Sequence, residues 1–330
     1  MSALAAQPDS KMARAMPVAR AVGGRLLQAL LTVLGISVIT WALLPLAPGD
    51  PALSLLEARG VKDPTAQQVA ALRDELGLDR PLLVQYVEWL GRAVRGDLSL
   101  SYKTGQPVLE ELGKRLPATL FLAGTSLLIA LALAVTGGLL GAAYHERWPD
   151  QLVRLLTQVG VSAPAFLLGL LALRFVVVEL GIGKVLSGGQ WQYVLLPALC
   201  LAVSRAADWA QLLRASLLEA MGANYTLVAS ARGATKLRVL WRYALPNAAL
   251  PLLTAVGVGI GGLIGGSAII EAIFTWPGIG SFVFAAISAR DFPVVQGFVA
   301  LIGLSYVTAS LLIDLLAVAL DPRLRAGGAA

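Results

Sequence analysis

Few side chains in this sequence are equipped for chemistry, and their spacing narrows what they could do. Arg205 and Asp208 stand three residues apart in an otherwise apolar run. That spacing places them on neighbouring faces of one helix. Asp314 stands alone in another apolar run, and Arg174 and Glu179 lie close together near the end of a third. Ionisable groups in such surroundings are costly and face protein or water rather than lipid; Arg174, near a run's end, can also snorkel. Two readings are open for Arg205 and Asp208: an internal ion pair, or the lining of a polar translocation path. Gly257, Gly259 and Gly262 match G-x-G-x-x-G, but that pattern cradles a pyrophosphate only between a strand and a helix. Here it lies inside an apolar run. Gly262 and Gly266 form instead a G-x-x-x-G pair, which lets helices approach closely, and a glycine-rich span can also bend as a gate.

The usual catalytic constellations are missing. No G-x-x-x-x-G-K-[ST] occurs, so the chain has no P-loop for ATP. A Ser/His/Asp set, an H-E-x-x-H motif and a carboxylate cluster are missing too, and no catalytic residue is assigned. One cysteine, Cys200, and one histidine, His145, cannot make an internal disulfide or a Cys/His zinc site. Cys200 reads as an inert buried thiol, and His145, beside Glu146 and Arg147, as a solvated loop residue. No metal site and no cofactor are expected within this chain.

The elements that carry these residues are membrane helices. Of 330 residues, 57% are hydrophobic and 14% charged, and the mean hydropathy is +0.74. That is too little charge to clothe a soluble domain of this length, so lipid is the expected solvent. The net charge of +6 is read by topology before any nucleic-acid reading. A basic tail over 1–24 carries Lys11, Arg14 and Arg20. The apolar run that follows is too long for a signal peptide and spans 25–47 as a retained first helix. Five further runs lie at 118–143, 155–180, 192–212, 247–273 and 294–319. The expected fold is therefore all-α, with six transmembrane helices and both termini cytoplasmic. A core over 118–319 holds helices two to six, and a tail occupies 320–330. Between spans four and five, Arg214, Arg232, Lys236, Arg238 and Arg242 stand against Glu219 alone. The outer loops carry little more than Lys184 and the pair Arg290–Asp291.

The long hydrophilic region, 48–117, reads as short helices on the extracytoplasmic side. Thr65 can cap a helix that carries Val69, Leu72 and Leu76 on one face and ends at Gly77. A second amphipathic helix follows Pro81, carries Tyr86, Leu90 and Val94 on a face, and stops before Gly96. The next stretch, "DLSLSYKTGQPVLEEL", is partly extended and then helical. Both a cap resting on the membrane and a partner-recognition surface fit this pattern.

The segment "EAMGANYTLVASARGA" joins two spans with a helix of its own. Asn224 can serve as its N-cap and Gly233 as the residue beyond its end. Thr235 can cap the next helix, and Pro246 and Pro251 mark the passage into span five. Tyr225, Val228 and Arg232 fall near one side of the small helix. Both a helix lying on the membrane and one seated in a groove of another protein are open on composition.

At these residues the sequence resembles the binding-protein-dependent ABC importer permeases, in their dipeptide/oligopeptide/nickel branch. "EAMGANYTLVASARGATKLRVLWRYALPNAALP" resembles their EAA loop through Glu219, Ala220, Gly222, the basic stretch Arg232 to Arg242, and Pro251. "PLAPGDPA", "LPATLFLAG", "LLRAS", "IIEAIFTWPGIG", "RDFPVVQG" and "DPRLR" extend the resemblance over nearly the whole chain. Met221 departs from the alanine usual in the loop; methionine suits a packed surface.

The resemblance implies a type I importer permease fold in a cell inner membrane and a subunit without enzymatic activity. The loop 213–246 would dock its short helix into a cytoplasmic ATPase, with Glu219, Ala220, Gly222, Asn224, Tyr225, Val228, Arg232 and Gly233 at the coupling site. Gly222 would permit the tight turn before the helix. The implied partners are a second homologous permease, two ATPase subunits carrying ATP and Mg, an extracytoplasmic solute-binding protein and membrane lipid. Substrate would cross between the permeases, with Arg205, Asp208, Gly262 and Gly266 as candidates for the path. Short peptides and nickel or other metal chelates are both implied as cargo. The competing readings are an ion-coupled secondary transporter, which should show mid-membrane carboxylates and an internal repeat, and a purely structural membrane subunit.

Overall fold

The computed structural model describes residues 10–47, 49–182 and 190–320, with side chains described from 23 to 312 within those segments. Among the described residues the chain is helical throughout, apart from one isolated antiparallel bridge between Leu100 and Pro107. Lys184, the last residues of the C-terminal tail and the side chain of Asp314 lie outside what is described.

A long first helix, α1 (Ser10–Leu46), leads into three short ones: α2 (Pro51–Ala58), α3 (Ala66–Glu75) and α4 (Leu82–Val94). Their ends follow from local chemistry. Thr65 caps α3 in a full capping box with Gln68. Gly77 and Gly96 stop α3 and α4 at φ +66° and +82°, conformations that only glycine adopts freely. The cap is fixed to the rest at two places and braced within itself at a third. Tyr86 Oη lies 2.8 Å from Ser37 Oγ of α1 and meets Trp41 edge-on. The Asp50 carboxylate caps α2 through the Ala52 amide and pairs with Arg73 at 2.9 Å. Asp291, buried, accepts from Ser101 Oγ at 2.5 Å and from the amides of Tyr102 and Lys103.

The central body is built on α5 (Val108–Ala143) and α8 (Leu195–Gly222), which run side by side in the same direction. Gly137, Gly138 and Gly141 of α5 face Ala210, Leu213 and Arg214 of α8. A Cβ at Gly138 would come 2.9 Å from Leu213, so the missing side chains set how closely the two helices approach. Leu213 and Leu217 are fully buried in this seam.

Between α5 and α8 the chain returns as α6 (Trp148–Ser162) and α7 (Ala165–Ala172), the latter continuing as a π-type segment over Leu173–Glu179. The apolar run 155–180, expected as one span, belongs to a helix pair bent by 98°. Pro164 is the cause. It has no N–H to continue the ladder, and it forces Ala163 out of the helical region to φ −87°, ψ 117°.

After α8 come α9 (Asn224–Ala231), α10 (Lys236–Val239), a π-type segment over Leu240–Ala244, and α11 (Leu245–Ile273). Then α12 (Ile279–Ser288) precedes α13 (Phe292–Leu320). α11 packs antiparallel on α8 and also touches α13, where Gly261 faces Tyr306; α13 packs antiparallel on α1, where Gly303 faces Ile36. Among the described residues, four helical stretches are long and apolar enough to cross a bilayer, and the bent pair makes a fifth. α8 has 28 residues, long enough to span, but it carries Arg205 and Asp208 and is more polar than those.

Candidate functional site

The linker helix α9 is bounded almost as its sequence suggests. Its N-cap is Ala223, extended at φ −73°, ψ 153°, and Asn224 is the first helical residue rather than the cap. The expected side-chain cap is therefore replaced. Thr226 turns its hydroxyl back onto the end of α8, with Oγ1 2.6 Å from Ala223 O and 2.9 Å from Met221 O. At the other end Gly233 sits at φ +84°. The amides of Gly233 and Ala234 bond to the carbonyls of Ser230 and Ala229, closing the helix as a Schellman turn. Thr235 then caps α10 through the Arg238 amide.

Gly222 departs from its expected role. It is the last residue of α8 and is absent from the positive-φ glycines, so the turn is made by Ala223. A Cβ at Gly222 would meet nothing within 4 Å. Nothing in this chain demands glycine there, and the open space faces outward.

The face of α9 divides cleanly. Thr226 and Ala229 are buried against the chain. Tyr225, Val228 and Arg232, spaced i, i+3, i+7, are exposed together; Val228 is 50% exposed. Leu227, Leu237 and Trp241 add exposed apolar surface around them. Glu219 is exposed on the last turns of α8, whereas Ala220 is buried in the core. The candidate residues thus share one end of the bundle but do not all share one surface.

Just beyond α9 the helices are locked by a buried ion pair that sequence reasoning missed. Arg214 Nε and Nη2 of α8 donate to Asp150 Oδ1 and Oδ2 at 2.5 and 2.7 Å, and Asp150 is fully buried. Asp150 also accepts from the Glu146 amide, and His145 Nδ1 lies 3.4 Å from Arg214 Nη2. Gly141 makes room for the arginine stem. Lys236 bonds the carbonyl of Ala143 at the end of α5, where a cation suits the helix dipole. An acidic residue in the first turn of α6 was visible in the sequence; its partner 64 positions away was not.

The path candidates gather on the seam of α8 and α11. Arg205 lies over Gly262, where a Cβ would come 2.7 Å from the guanidinium, and Gly266 packs near Leu201. Arg205 and Asp208 are 3.8 Å apart and both about 40% or more exposed along their side chains. Both readings of the pair survive in one arrangement: an ion pair, loose, on an open face. Arg174 and Glu179 also pair, at 3.0 Å.

At the opposite end Glu271, fully buried, accepts from Thr119 Oγ1, Ser267 Oγ and the amides of Gly280 and Ser281. It sits at the start of α12, where the helix dipole favours an anion. Trp276 Nε1 reaches the Ala118 carbonyl beside it. An isolated carboxylate in an apolar run was the available signal. Among the described residues no group of His, Cys, Asp or Glu is gathered to hold a metal ion.

Two family models together match nearly the whole chain: "Binding-protein-dependent transport system inner membrane component" over residues 126–326, and the corresponding N-terminal model over 18–123. The chain is 35% identical over 303 residues to the glutathione transport system permease protein GsiC of Escherichia coli K12, covering 91% of this chain and 97% of that protein. It is 37% identical over 330 aligned positions to the probable D,D-dipeptide transport system permease protein DdpB of the same strain, covering 90% and 95%. Among solved structures, the inward-facing MetNI methionine ABC transporter aligns at TM-score 0.55 and 19% identity, over 64% of this chain and 96% of that one. An amino acid ABC transporter crystallised with histidines aligns at TM-score 0.53 and 18% identity, over 64% and 94%. These two likenesses carry the fold alone. The chain belongs to the binding-protein-dependent transport system inner membrane component family and is an ABC importer permease of the peptide/nickel branch, set in the inner membrane.

Proposed function

We propose that this chain pairs with a second, homologous permease and two ATPase subunits to import short peptides delivered by an extracytoplasmic binding protein. In this reading α1, α5, the bent pair α6–α7, α8, α11 and α13 are six crossings, and both termini lie in the cytoplasm with α9. The alternating direction of the packed helices supports this count. ATP and Mg bind on the partner ATPases, which would drag α9 and with it α8.

The observation that carries the proposal is α9 itself: a capped helix whose exposed face, Tyr225, Val228 and Arg232, has no partner within the described chain. Such a face fits a cleft on another protein better than it fits a simple connection. The helices α2 to α4 would form the outer surface on which the binding protein lands. Short peptides are placed ahead of nickel because the relatives above are named for glutathione and for D,D-dipeptides.

The test is reconstitution of the chain with the second permease, the ATPases and the binding protein. Dipeptide uptake should require hydrolysable ATP and the binding protein. Uptake that persists without any ATPase would point to ion-coupled transport and sink the proposal.

A further inference from the structure

A polar groove of about 660 Å³ runs between α6 and α8, lined by Gln151, Arg154, Thr157, Gln158, Gln211 and Arg214. The other face of α6 is different. Leu152, Leu156 and Val159 are all about half exposed, as lipid-facing residues are. Gln151, Arg154 and Gln158, at i, i+3 and i+7, make the opposite, polar stripe.

Position along the helices sharpens the point. Gln158 falls inside the apolar run 155–180 and Gln211 inside the run 192–212, the expected third and fourth spans. Gln151, Arg154, Gln158 and Gln211 are exposed, and their side chains have no hydrogen-bond or ion-pair partner among the described residues. Unsatisfied amides within a span are not tolerated against acyl chains. They must meet water, protein or cargo.

We infer that this groove is a substrate station on the inner half of the path, built to read a short peptide. Each glutamine amide offers a donor and an acceptor, which matches a peptide group in either direction and any sequence. Arg214 is committed to Asp150. Arg154 has no such anchor, and its guanidinium suits the free C-terminal carboxylate of a peptide. The station lies beyond Asp208 along the same exposed side of α8, so Arg205–Asp208 would precede it on the inward route. This inference rests on the importer reading above and adds to it where, and by which atoms, cargo is held.

The test uses the assembled transporter. Cys200, this chain's one native cysteine, is buried, so Gln158→Cys and Gln211→Cys each give this chain one accessible thiol, with Leu156→Cys as the lipid-facing reference. A water-soluble thiol reagent should label the two groove positions about tenfold faster or more, because a wetted thiol ionises and one in apolar surroundings does not. Alanyl-alanine during ATP turnover should slow that labelling. Arg154→Gln should lower the preference for alanyl-alanine over its C-terminal amide, measured as an uptake ratio, by about tenfold, the worth of a charged hydrogen bond; Arg154→Lys should fall between. Labelling as slow as at Leu156→Cys, or unaffected by dipeptide, overturns the station while leaving ATP-driven uptake, and so the importer reading, standing. An unchanged uptake ratio in Arg154→Gln overturns the carboxylate contact. Failure of the unsubstituted complex to take up dipeptide with ATP overturns both.

Discussion

Arg214 and Asp150 face each other through two parallel charge-assisted hydrogen bonds, joining α8 to the start of α6 about two turns before α8 ends. Asp150 has no exposed surface and the Arg214 side chain keeps only 17% of its own, so removing either leaves the other largely out of water. Asp150→Ala should therefore destabilise the chain by about 3–5 kcal/mol, the usual cost of orphaning a buried ion. Asp150→Asn should cost less, since it keeps acceptors for Arg214 and the Glu146 amide. Thermal unfolding in detergent distinguishes the two; equal midpoints for Asp150→Ala and the parent chain would refute the pair's structural weight.

Gly222→Leu tests the linker without disturbing the fold. No atom lies within 4 Å of the added Cβ, and no special backbone angle is involved. The variant should insert and melt like the parent, yet lose ATPase association or uncouple hydrolysis from uptake. Val228→Asp should behave in the same way, placing a charge on the proposed docking face. Normal coupling in both would remove α9 from its assigned role.

Gly280→Ala and Gly265→Ala make a matched pair. At Gly280 the new Cβ would run into the backbone of Ala268 and the Glu271 carboxylate; at Gly265 it meets nothing within 4 Å. Overpacking against backbone costs about 1–3 kcal/mol or more, whereas an unobstructed glycine-to-alanine change inside a helix is favourable by up to about 1 kcal/mol. The first variant should lower the melting temperature and the second should hold or raise it. The reverse order would contradict the packing around Glu271.

The outer helices should be stable over a bounded pH range. Burial pushes the Asp50 carboxyl up, but the Arg73 hydrogen bond and charge and the Ala52 and Leu53 amides outweigh it, and the net shift is downward. A depressed carboxylate stabilises the fold above its unfolded value and loses that contribution as pH falls through the folded one. Tyr102 is pushed up to about 12, by burial first and then by Asp291. Its contribution is whole below the ordinary tyrosine value of 10.0 and is lost as pH rises toward about 12. Hydrogen exchange over α2 and α3 against pH should show loosening at both extremes. Asp50→Asn should abolish the acid limb only, and an unchanged acid limb would exclude Asp50 as its source.

What could be read from the sequence was local. Thr65, Gly77, Gly96, Thr235 and Gly233 end their helices where the spacing placed them, because a cap or a left-handed turn is decided within a few residues. Asn224 was displaced by one position because Thr226 bonds backward to α8, a competition invisible from cap preference. Gly222 suggested a turn, and the turn fell to Ala223. The bend at Ala163 was written in Pro164 but masked by the apolar residues on both sides. Glu271 and Asp150 were passed over because their meaning lies in partners 152 and 64 positions away. Hydropathy counts a lone carboxylate as a small interruption; only packing shows it as a buried fastening.

The joint between α8 and α9 is a single residue, Ala223, with the Thr226 hydroxyl fastened across it. α8 itself runs for 28 residues without a break, about 42 Å of rigid rod. Such a connection has almost no slack, so, with α9 seated on an ATPase as proposed, a stroke applied to it would reach Arg205 and Asp208 with little absorbed on the way. Hydrolysis and transport would then stay in phase, and loosening Ala223 would appear first as lost timing, with affinity untouched.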